Sequence, residues 1–331
     1  HTVDWWDAVV KPGPFQDYQV NFSGGTKRFN YYVSGDYLDQ RGVVFNDNFK
    51  KFIILSKLDA KITDWFEMGL NLSVINKNAD GVAGDLEKAT INGPYGFVHS
   101  TFSGYENWYE RYPQSSSTTF SPFWRTLTYD EDRNQNYRSN SYLRFNAPWI
   151  KGLSYTFNYS LNRWEGHASQ FNNEKTFVNT LVLTDLQNQT KYLVNANGYR
   201  NNSERTDWYL NHLINYNQIF GVHSIDVTLV AERQESKNRS MSLQANDFSS
   251  VGTTVLGVNA LQLGDPTKRV ISTGDSKLSQ LAYLARINYG FRDKINLSGS
   301  IRKDGYSGFA EGNKYGVFKA VSGAYTISNE K

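Results

Sequence analysis

The sequence predicts an all-β fold, namely an antiparallel transmembrane β-barrel of which this chain forms part of the wall. About eleven runs of residues are apolar at every second position, the periodicity of a strand with one apolar and one polar face. The connections between these runs alternate between short and long along the chain. Membrane barrels show this alternation because one rim carries short periplasmic turns and the other carries long extracellular loops.

The predicted connections fall into two classes by length. The tight ones are Ser23–Thr26, Lys61–Asp64, Pro148–Lys151, Gln218–Gly221 and Arg292–Asp293. The longer ones are Asp39–Asn48, Lys77–Gln135, Trp164–Arg205, Gln234–Lys277 and Lys303–Tyr315. We therefore expect long external loops at 77–135, 164–205 and 234–277, all within one barrel domain that covers residues 1–331. Within these loops, Leu86–Thr90 is a candidate helical turn, and Thr176–Leu183 and Thr190–Asn195 are β-prone segments that could form a hairpin above the membrane.

The strand-like runs have two distinct faces. In Phe29–Tyr37, the aromatic and aliphatic side chains alternate with Asn, Ser and Asp, and residues 66–74 and 153–162 repeat this pattern. Each run has the ~9–11 residues that a tilted strand needs to cross a bilayer. The polar positions are mostly uncharged amides and hydroxyls, which suit a water-filled bore. A soluble sandwich also alternates, but its outer face usually carries many Lys and Glu residues.

The composition excludes several classes of protein. Aromatic residues make up 15% of the 331 residues, the mean hydropathy is −0.58, and no run approaches the ~20 apolar residues of a membrane helix. A net charge of +3 does not indicate a nucleic-acid partner. Cysteine is absent, so the chain has neither disulfides nor thiolate sites. The aromatic content suits the girdles of a membrane barrel, and it also suits a soluble lectin.

One stretch near the start of the chain carries specific motifs. They are Asp4–Asp7 (DWWD), Ser23–Thr26 (SGGT) and Tyr37–Gly42 (YLDQRG), followed by Leu58–Ser73. This order resembles the barrel of the SusC/RagA-type TonB-dependent transporters, which have a tryptophan motif, an S-G-G-T turn and a Y-L-D-Q-x-G strand end.

A second stretch is similar to another segment of the same family. It comprises Ala285–Tyr289 (ARINY), Ile301–Phe309 (IRKDGYSGF) and Val317–Ser322 (VFKAVS), where the family has G-R-x-N-Y, R-x-D-G-S-S-x-F and F-P-S-x-S. The departures are Ala285, Ile295, Tyr306, Gly308 and the pair Lys319–Ala320. They affect the expected loop geometry and leave the resemblance in place over nearly the whole chain.

The resemblance implies an outer-membrane importer of a Gram-negative bacterium. Family barrels have about 22 strands around a plugged lumen, so we expect this chain to be an internal fragment without the plug, the TonB box and the remaining strands. The implied partners are a SusD-like substrate-binding lipoprotein, the TonB complex acting through the plug, the lipid bilayer and an oligosaccharide or peptide substrate. The alternative is a soluble β-rich carbohydrate-binding or adhesive module.

The longest predicted loop is rich in aromatic residues, which are the candidate contacts for the substrate or the lid. Aromatic faces stack on the apolar surfaces of sugars and peptides, while nearby polar groups bind hydroxyls and amides. The alternative is that these rings dock the loop on the barrel or on the lid protein. The candidates are Tyr95, Phe97, Tyr105, Trp108, Tyr109, Tyr112 and Trp124.

No catalytic constellation is evident, so we expect neither enzymatic activity nor a cofactor. The five histidines lack metal-ligand spacing, and we expect His223 to have a turn or interface role. Asp304–Gly308 does not meet the spacing of a nucleophile elbow and is better read as a hairpin loop. Asp80–Asp85 resembles a calcium loop only weakly, because it lacks the EF-hand order of oxygen ligands.

Overall fold

The computed structural model describes residues 2–99, 109, 119–172, 196–248 and 256–329. Eleven strands form one sheet within these residues, and short helices lie at its two ends. The strands are β1 (Phe15–Gly25), β2 (Phe29–Arg41), β3 (Asn48–Lys61), β4 (Phe66–Asn78), β5 (Tyr129–Asn146), β6 (Leu153–Asn172), β7 (Asn197–Phe220), β8 (His223–Asn246), β9 (Val270–Phe291), β10 (Ile295–Tyr306) and β11 (Tyr315–Tyr325). The α-helices are α1 (Trp5–Val9) and α2 (Leu86–Ile91), and the 3₁₀-helices are Trp124–Leu127, Gly257–Leu263 and Ile327–Asn329.

The sheet is a simple meander in which every strand pairs antiparallel with the next one along the chain. The eleven predicted strands and their antiparallel order are thus confirmed. Two stacked layers, which the sandwich alternative requires, are not present in the described residues. Phe29 and Leu229 would share the sealed interior of a sandwich, yet 42% and 44% of their surfaces are exposed.

One face of the sheet carries a continuous apolar band, which we call the apolar face. The strand register aligns side chains from β4 to β10 in one row: Phe66, Phe145, Tyr155, Ile214, Leu229, Ala285 and Ile301. Because successive side chains point to opposite sides of a strand, the residues between them form a second face. This polar face carries the predicted amides and hydroxyls and, in addition, charged Asp, Glu and Arg residues that form ion pairs.

The same row shows that the strands are staggered. Phe66 is the first residue of β4, directly after a short turn, whereas Ile301 lies well inside β10, which begins at Ile295. Each short turn is therefore displaced along the register relative to the next. A steady displacement of this kind accompanies strand tilt in a closed barrel.

The predicted long connections are too long, because the strands continue into them. β6 runs through Asn172 and β7 starts at Asn197, so both ends of the predicted loop 164–205 are paired strand. Likewise, β8 extends to Asn246 and β9 starts at Val270 inside the predicted loop 234–277, and the connection predicted at 77–135 spans 79–128. The longest strands have 24 residues, whereas the sequence analysis predicts ~9–11 residues for each strand.

The connections were predicted too long because the side-chain pattern marks only part of each strand. On β7, the apolar face ends at Trp208 and continues with Thr206, Glu204 and Asn202, which pair with β8 nonetheless. The hydrophobic alternation marks only the part of a strand that meets an apolar medium. The main-chain ladder extends further, because backbone pairing does not depend on side-chain polarity.

The short turns follow from local side-chain and backbone chemistry. Thr26 Oγ1 accepts hydrogen bonds from the N–H groups of Arg28 (3.2 Å) and Phe29 (3.1 Å) and closes the β1–β2 turn. Gly221, between β7 and β8, has a φ of +59°, which a residue without Cβ adopts easily. Between β9 and β10, Arg292 and Asp293 hold φ values of 51° and 54° despite their side chains.

Two predictions about the loops have different outcomes. The helical turn predicted at Leu86–Thr90 is confirmed by α2. The hairpin predicted from Thr176–Leu183 and Thr190–Asn195 lies outside the described residues. No helix in the described part of the chain is long and apolar enough to cross a membrane.

Candidate functional site

A small apolar cap lies beyond the long-loop end of β1–β4. It is built from α1, α2 and the segment before β5, and its buried residues are Trp5, Val9, Ala89 and Phe123. Each short α-helix begins with an aspartate cap: Asp4 accepts from the Asp7 N–H (2.9 Å) and Asp85 from the Lys88 N–H (3.0 Å). The cap has its own core, which fixes the loop between β4 and β5 on the strand ends.

Aromatic rings pack closely inside this cap. Tyr109 stacks on Phe123 with ring centroids 4.9 Å apart, and His99 stacks on Tyr109 at the same separation. Phe45, from the β2–β3 connection, meets Phe123 edge to face at 5.4 Å. Burial raises the pKa of the Tyr109 hydroxyl above its ordinary value. These contacts dock the loop onto the rest of the chain.

The predicted substrate- or lid-contacting residues occupy different environments. Tyr109 belongs to the docking cluster, and Trp124 packs against Phe120 with ring centroids 4.9 Å apart. In contrast, 71% of Tyr95 and 42% of Phe97 are exposed. Tyr105, Trp108 and Tyr112 lie outside the described residues. A contact of any of these residues with substrate or a lid therefore stays a prediction.

The Asp80–Asp85 segment makes internal contacts instead of presenting free oxygen ligands. The Asp80 carboxylate accepts from Arg133 Nη2 (2.6 Å) and Nε (3.0 Å), and from the N–H of Asp132 (2.9 Å). The Asp85 carboxylate caps α2. Within the part of the chain that the structure describes, no cluster of His, Asp and Glu has the arrangement of a metal site. Hydrogen bonding to Asp80 raises the pKa of the Arg133 guanidinium.

A second candidate site lies on the polar face, where an ion-pair network joins three strands. The Arg302 guanidinium of β10 donates to Glu232 Oε2 of β8 (3.0 Å) and to Asp304 Oδ1 (2.8 Å). The Tyr209 hydroxyl of β7 donates to Glu232 Oε1 (3.2 Å). The β9 residue that pairs with both Glu232 and Asp304 is Ala282, and its small side chain leaves room for Arg302 to reach Glu232 across β9.

This network borders a recess of about 300 Å³ on the polar face. Its lining includes Gln234, Gln280 and the aromatic rings of Tyr306, Phe309 and Phe318. The ring of Phe318 lies over Gly316, where a Cβ would come within 3.2 Å of it, and 62% of Phe318 is exposed. An exposed ring beside carboxylates, a guanidinium and amides can stack on an apolar surface while the polar groups bind hydroxyls or amides.

A second polar cluster lies on the same face, nearer the short turns. The Asp226 carboxylate accepts from the side-chain amides of Asn215 (3.4 Å), Asn217 (3.0 Å) and Asn288 (3.3 Å). The sequence predicts a face rich in amides, and it does not reveal these partners. The i, i+2 spacing of Arg302 and Asp304 was the available signal for the ion-pair network, since alternate residues of a strand share a face.

Three of the described histidines lie within hydrogen-bond distance of neutral side chains. His223 Nδ1 lies 2.7 Å from the Tyr289 hydroxyl, which agrees with its predicted role beside a turn. His212 Nδ1 lies 2.7 Å from the Tyr155 hydroxyl on the apolar face, and His167 Nδ1 lies 3.0 Å from Asn202 Oδ1.

Comparison with known proteins shows similarity over almost the whole chain, although no protein-family model matches it. TonB-dependent receptor P3 of Formosa agariphila is 26% identical over 99% of this chain and 32% of its own length. TonB-dependent receptor SusC of Bacteroides thetaiotaomicron is 22% identical over 99% of this chain and 32% of its own length. The chain thus spans about a third of the length of the curated relatives that it matches.

Solved structures share the fold. The RagAB peptide importer in its "open-open" state superposes with a TM-score of 0.71 and 19% identity, and the match covers 100% of this chain and 36% of that one. The "closed-closed" state gives a TM-score of 0.69 at the same identity and coverage. The chain is thus similar to SusC and other TonB-dependent receptors over almost its whole length, and its staggered meander with one apolar band has the fold of part of a TonB-dependent transporter barrel.

Proposed function

We propose that the protein containing this chain imports oligomeric nutrients across the outer membrane of a Gram-negative bacterium. The observation that carries this proposal is the two-faced sheet: one face has a continuous apolar band, and the other has hydrogen-bonded amides and ion pairs suited to a wet bore. Relatives named as TonB-dependent receptors support the same conclusion.

The proposed partners are a SusD-like surface lipoprotein and the TonB complex. One relative is SusC itself, and the RagAB structures, described as a peptide importer in open and closed states, share the fold. The exposed rings of Tyr95 and Phe97 lie on the side of the long loops, where a lid would meet the barrel. In this proposal, the energy that releases the bound cargo comes from the TonB complex through the plug, and this chain carries out no chemical step.

The proposed cargo is a glycan or a peptide. The recess beside Arg302 offers an aromatic ring, two amides and a guanidinium whose charge is already balanced by carboxylates. Such a surface binds neutral hydroxyls and amides through several weak contacts, which both classes of oligomer provide. Its shallow shape suits a transient contact during passage.

Growth of a deletion strain on a panel of single glycans and peptides tests the import function. We expect a growth defect on one cargo, restored by the intact gene. The Phe318→Ala variant should restore growth only partly, because it removes the exposed ring of the bore. The matched control is Val317→Ala, the next residue, which points to the apolar face. Normal growth of the deletion strain on every cargo would contradict the import function.

A further inference from the structure

A groove crosses the apolar face between β8, β9 and β10. Its volume is about 420 Å³, within the range of roughly 300–1,000 Å³ that is typical of small-molecule sites. The walls include Ile214, Leu229, Tyr283 and Ile301. The small residues Ala231 and Ala285 lie between these larger side chains and leave the depression.

The groove has a polar end on the side of the long loops. Lys303 lines it there, and its ammonium group lies 4.8 Å from the centroid of the Tyr315 ring. Lys303 pairs with Val317 in the register, so Lys319 is its diagonal neighbour on the same face. Diagonal neighbours across a strand pair lie about 7–8 Å apart, close enough for two lysines to bind one anion.

Both lysines lack an anionic partner of their own among the described residues. The nearby carboxylates of Glu232 and Asp304 lie on the polar face and pair with Arg302. Neither Lys303 nor Lys319 forms a salt bridge within the described ranges. A cation that faces lipid is costly unless its side chain reaches the headgroup region and pairs there. For Lys303, whose two neighbouring strands β9 and β11 are both described, an anionic lipid headgroup would supply the missing charge.

The position of the lysines selects the outer leaflet. Lys303 lies near the long-loop end of β10. The groove also includes Leu229, Ala285 and Ile301, which lie two register positions closer to the short-turn end. In a membrane barrel the long loops face the exterior. The arrangement thus places Lys303 on the outer side of the groove and Lys319 beside its apolar row, because Lys319 pairs with Ile301.

We propose that this groove binds one acyl chain of lipid A, the phosphorylated glycolipid of the outer leaflet, with its phosphate held by Lys303 and Lys319. Arg233 strengthens the positive field, since it lies on the same face one residue pair beyond Ala231 and packs on Trp208 with its guanidinium 5.4 Å from the ring centroid. The inference rests on the outer-membrane placement in the proposed function, and it does not depend on the cargo.

The test measures the lipid A that co-purifies with the full-length transporter. The protein is extracted from native outer membranes in mild detergent, and lipid A and phospholipid are quantified per mole of protein by mass spectrometry. Lys303→Gln should lower the retained lipid A about fivefold, the factor that corresponds to ~1 kcal/mol for a lysine near an anionic lipid surface. The control Lys314→Gln removes the same charge from the loop before β11 and should change nothing.

A second pair of variants tests the groove independently of charge. Ala285→Phe fills the depression and should also reduce the lipid A content while both lysines remain. Val321→Phe adds the same ring to the apolar face at a position that is 89% exposed and outside the groove, and it should have no effect. Heat-modifiable gel mobility establishes that each variant is folded.

Two results would overturn the proposal. One is equal retention of lipid A in the wild type, Lys303→Gln and Ala285→Phe. The other is retention of phospholipid alone in the wild type. Growth assays on the cargo panel separate this question from import: a deletion strain without a growth defect contradicts import and leaves the lipid measurement standing. A lipid-free groove in a strain that depends on the transporter contradicts only the lipid site.

Discussion

Val33 and Ser34 allow a sharp test of which face of the sheet meets lipid. They are adjacent on β2, so they point to opposite sides, and Val33 is central in the apolar run from Phe29 to Tyr37. Val33→Arg places a charge in the middle of the proposed lipid-facing band. Ser34→Arg places the same charge on the polar face, opposite Asn21 and Leu55.

The expected cost follows from the exposure of Val33 and the depth of the site. In the described chain, 36% of the Val33 surface is exposed. Full burial of a valine side chain in an apolar medium contributes ~1.5–3 kcal/mol, so the exposed part contributes about 0.5–1 kcal/mol of lipid contact, which Val33→Arg removes. An arginine on the lipid face near the midplane costs ~2–4 kcal/mol. Val33→Arg should therefore lower the free energy of unfolding by about 2.5–5 kcal/mol, since these two terms add. Ser34→Arg should cost about 1 kcal/mol or less, because its guanidinium stays in water.

Equilibrium urea unfolding of the full-length transporter in lipid vesicles measures both values. Folded and unfolded fractions are read from heat-modifiable gel mobility and from tryptophan fluorescence. Equal costs for the two variants would refute the assignment of the faces. A larger cost for Ser34→Arg would reverse it.

Three further predictions concern the turns and the cap. Asp293→Gly should stabilise the protein by roughly 1 kcal/mol in the same urea assay, since glycine tolerates its positive φ, while Asp293→Ala should give no gain. Phe123→Ala should destabilise the cap by about 3–5 kcal/mol, seen as faster proteolysis of that region alone; Trp6→Ala, at an exposed position, should leave the rate unchanged. The pKa of Asp265 lies below its ordinary 3.8 because the hydroxyl and N–H of Thr267 donate to it. The bonds to the Asp265 carboxylate stabilise this turn above pH 3.8, and this stabilisation is lost as the pH falls through the lowered pKa of Asp265. Pepsin cleavage near Asp265 should therefore rise only below pH 3.8. Thr267→Val removes the hydroxyl donor and should move this rise to higher pH.

The sequence predicts the strand order and the two faces because both follow from alternation along a single strand. Phe29, Leu70 and Phe157 each lie in a run of this kind, and each run became a strand. Turn positions were also predictable, since Ser23–Thr26 and Gln218–Gly221 contain the residues that turns require. The ends of β6–β9 were not, because polar residues such as Glu204 and Asn202 remain in strands once a neighbour supplies the hydrogen bonds.

The candidate site was predicted only in part, for a related reason. Aromatic density marked the loop that contains Tyr109, but only the folded chain separates the docking ring of Tyr109 from the exposed ring of Tyr95. The network of Arg302, Glu232 and Tyr209 joins residues that are far apart in sequence. Its formation depends on register across three strand pairings, which no local pattern specifies.

The unbroken pairing of β7 with β8 has a mechanical consequence. All 24 residues of β7 pair with β8, so the main-chain ladder of this hairpin has no gap along its whole length. A force that pulls the two strands apart at the outer tip would break the hydrogen-bonded pairs one after another. A force applied along the strands would have to shear the whole set at once. The wall above the bilayer therefore resists sliding much more than peeling, and this leaves the loops at its top as the compliant elements.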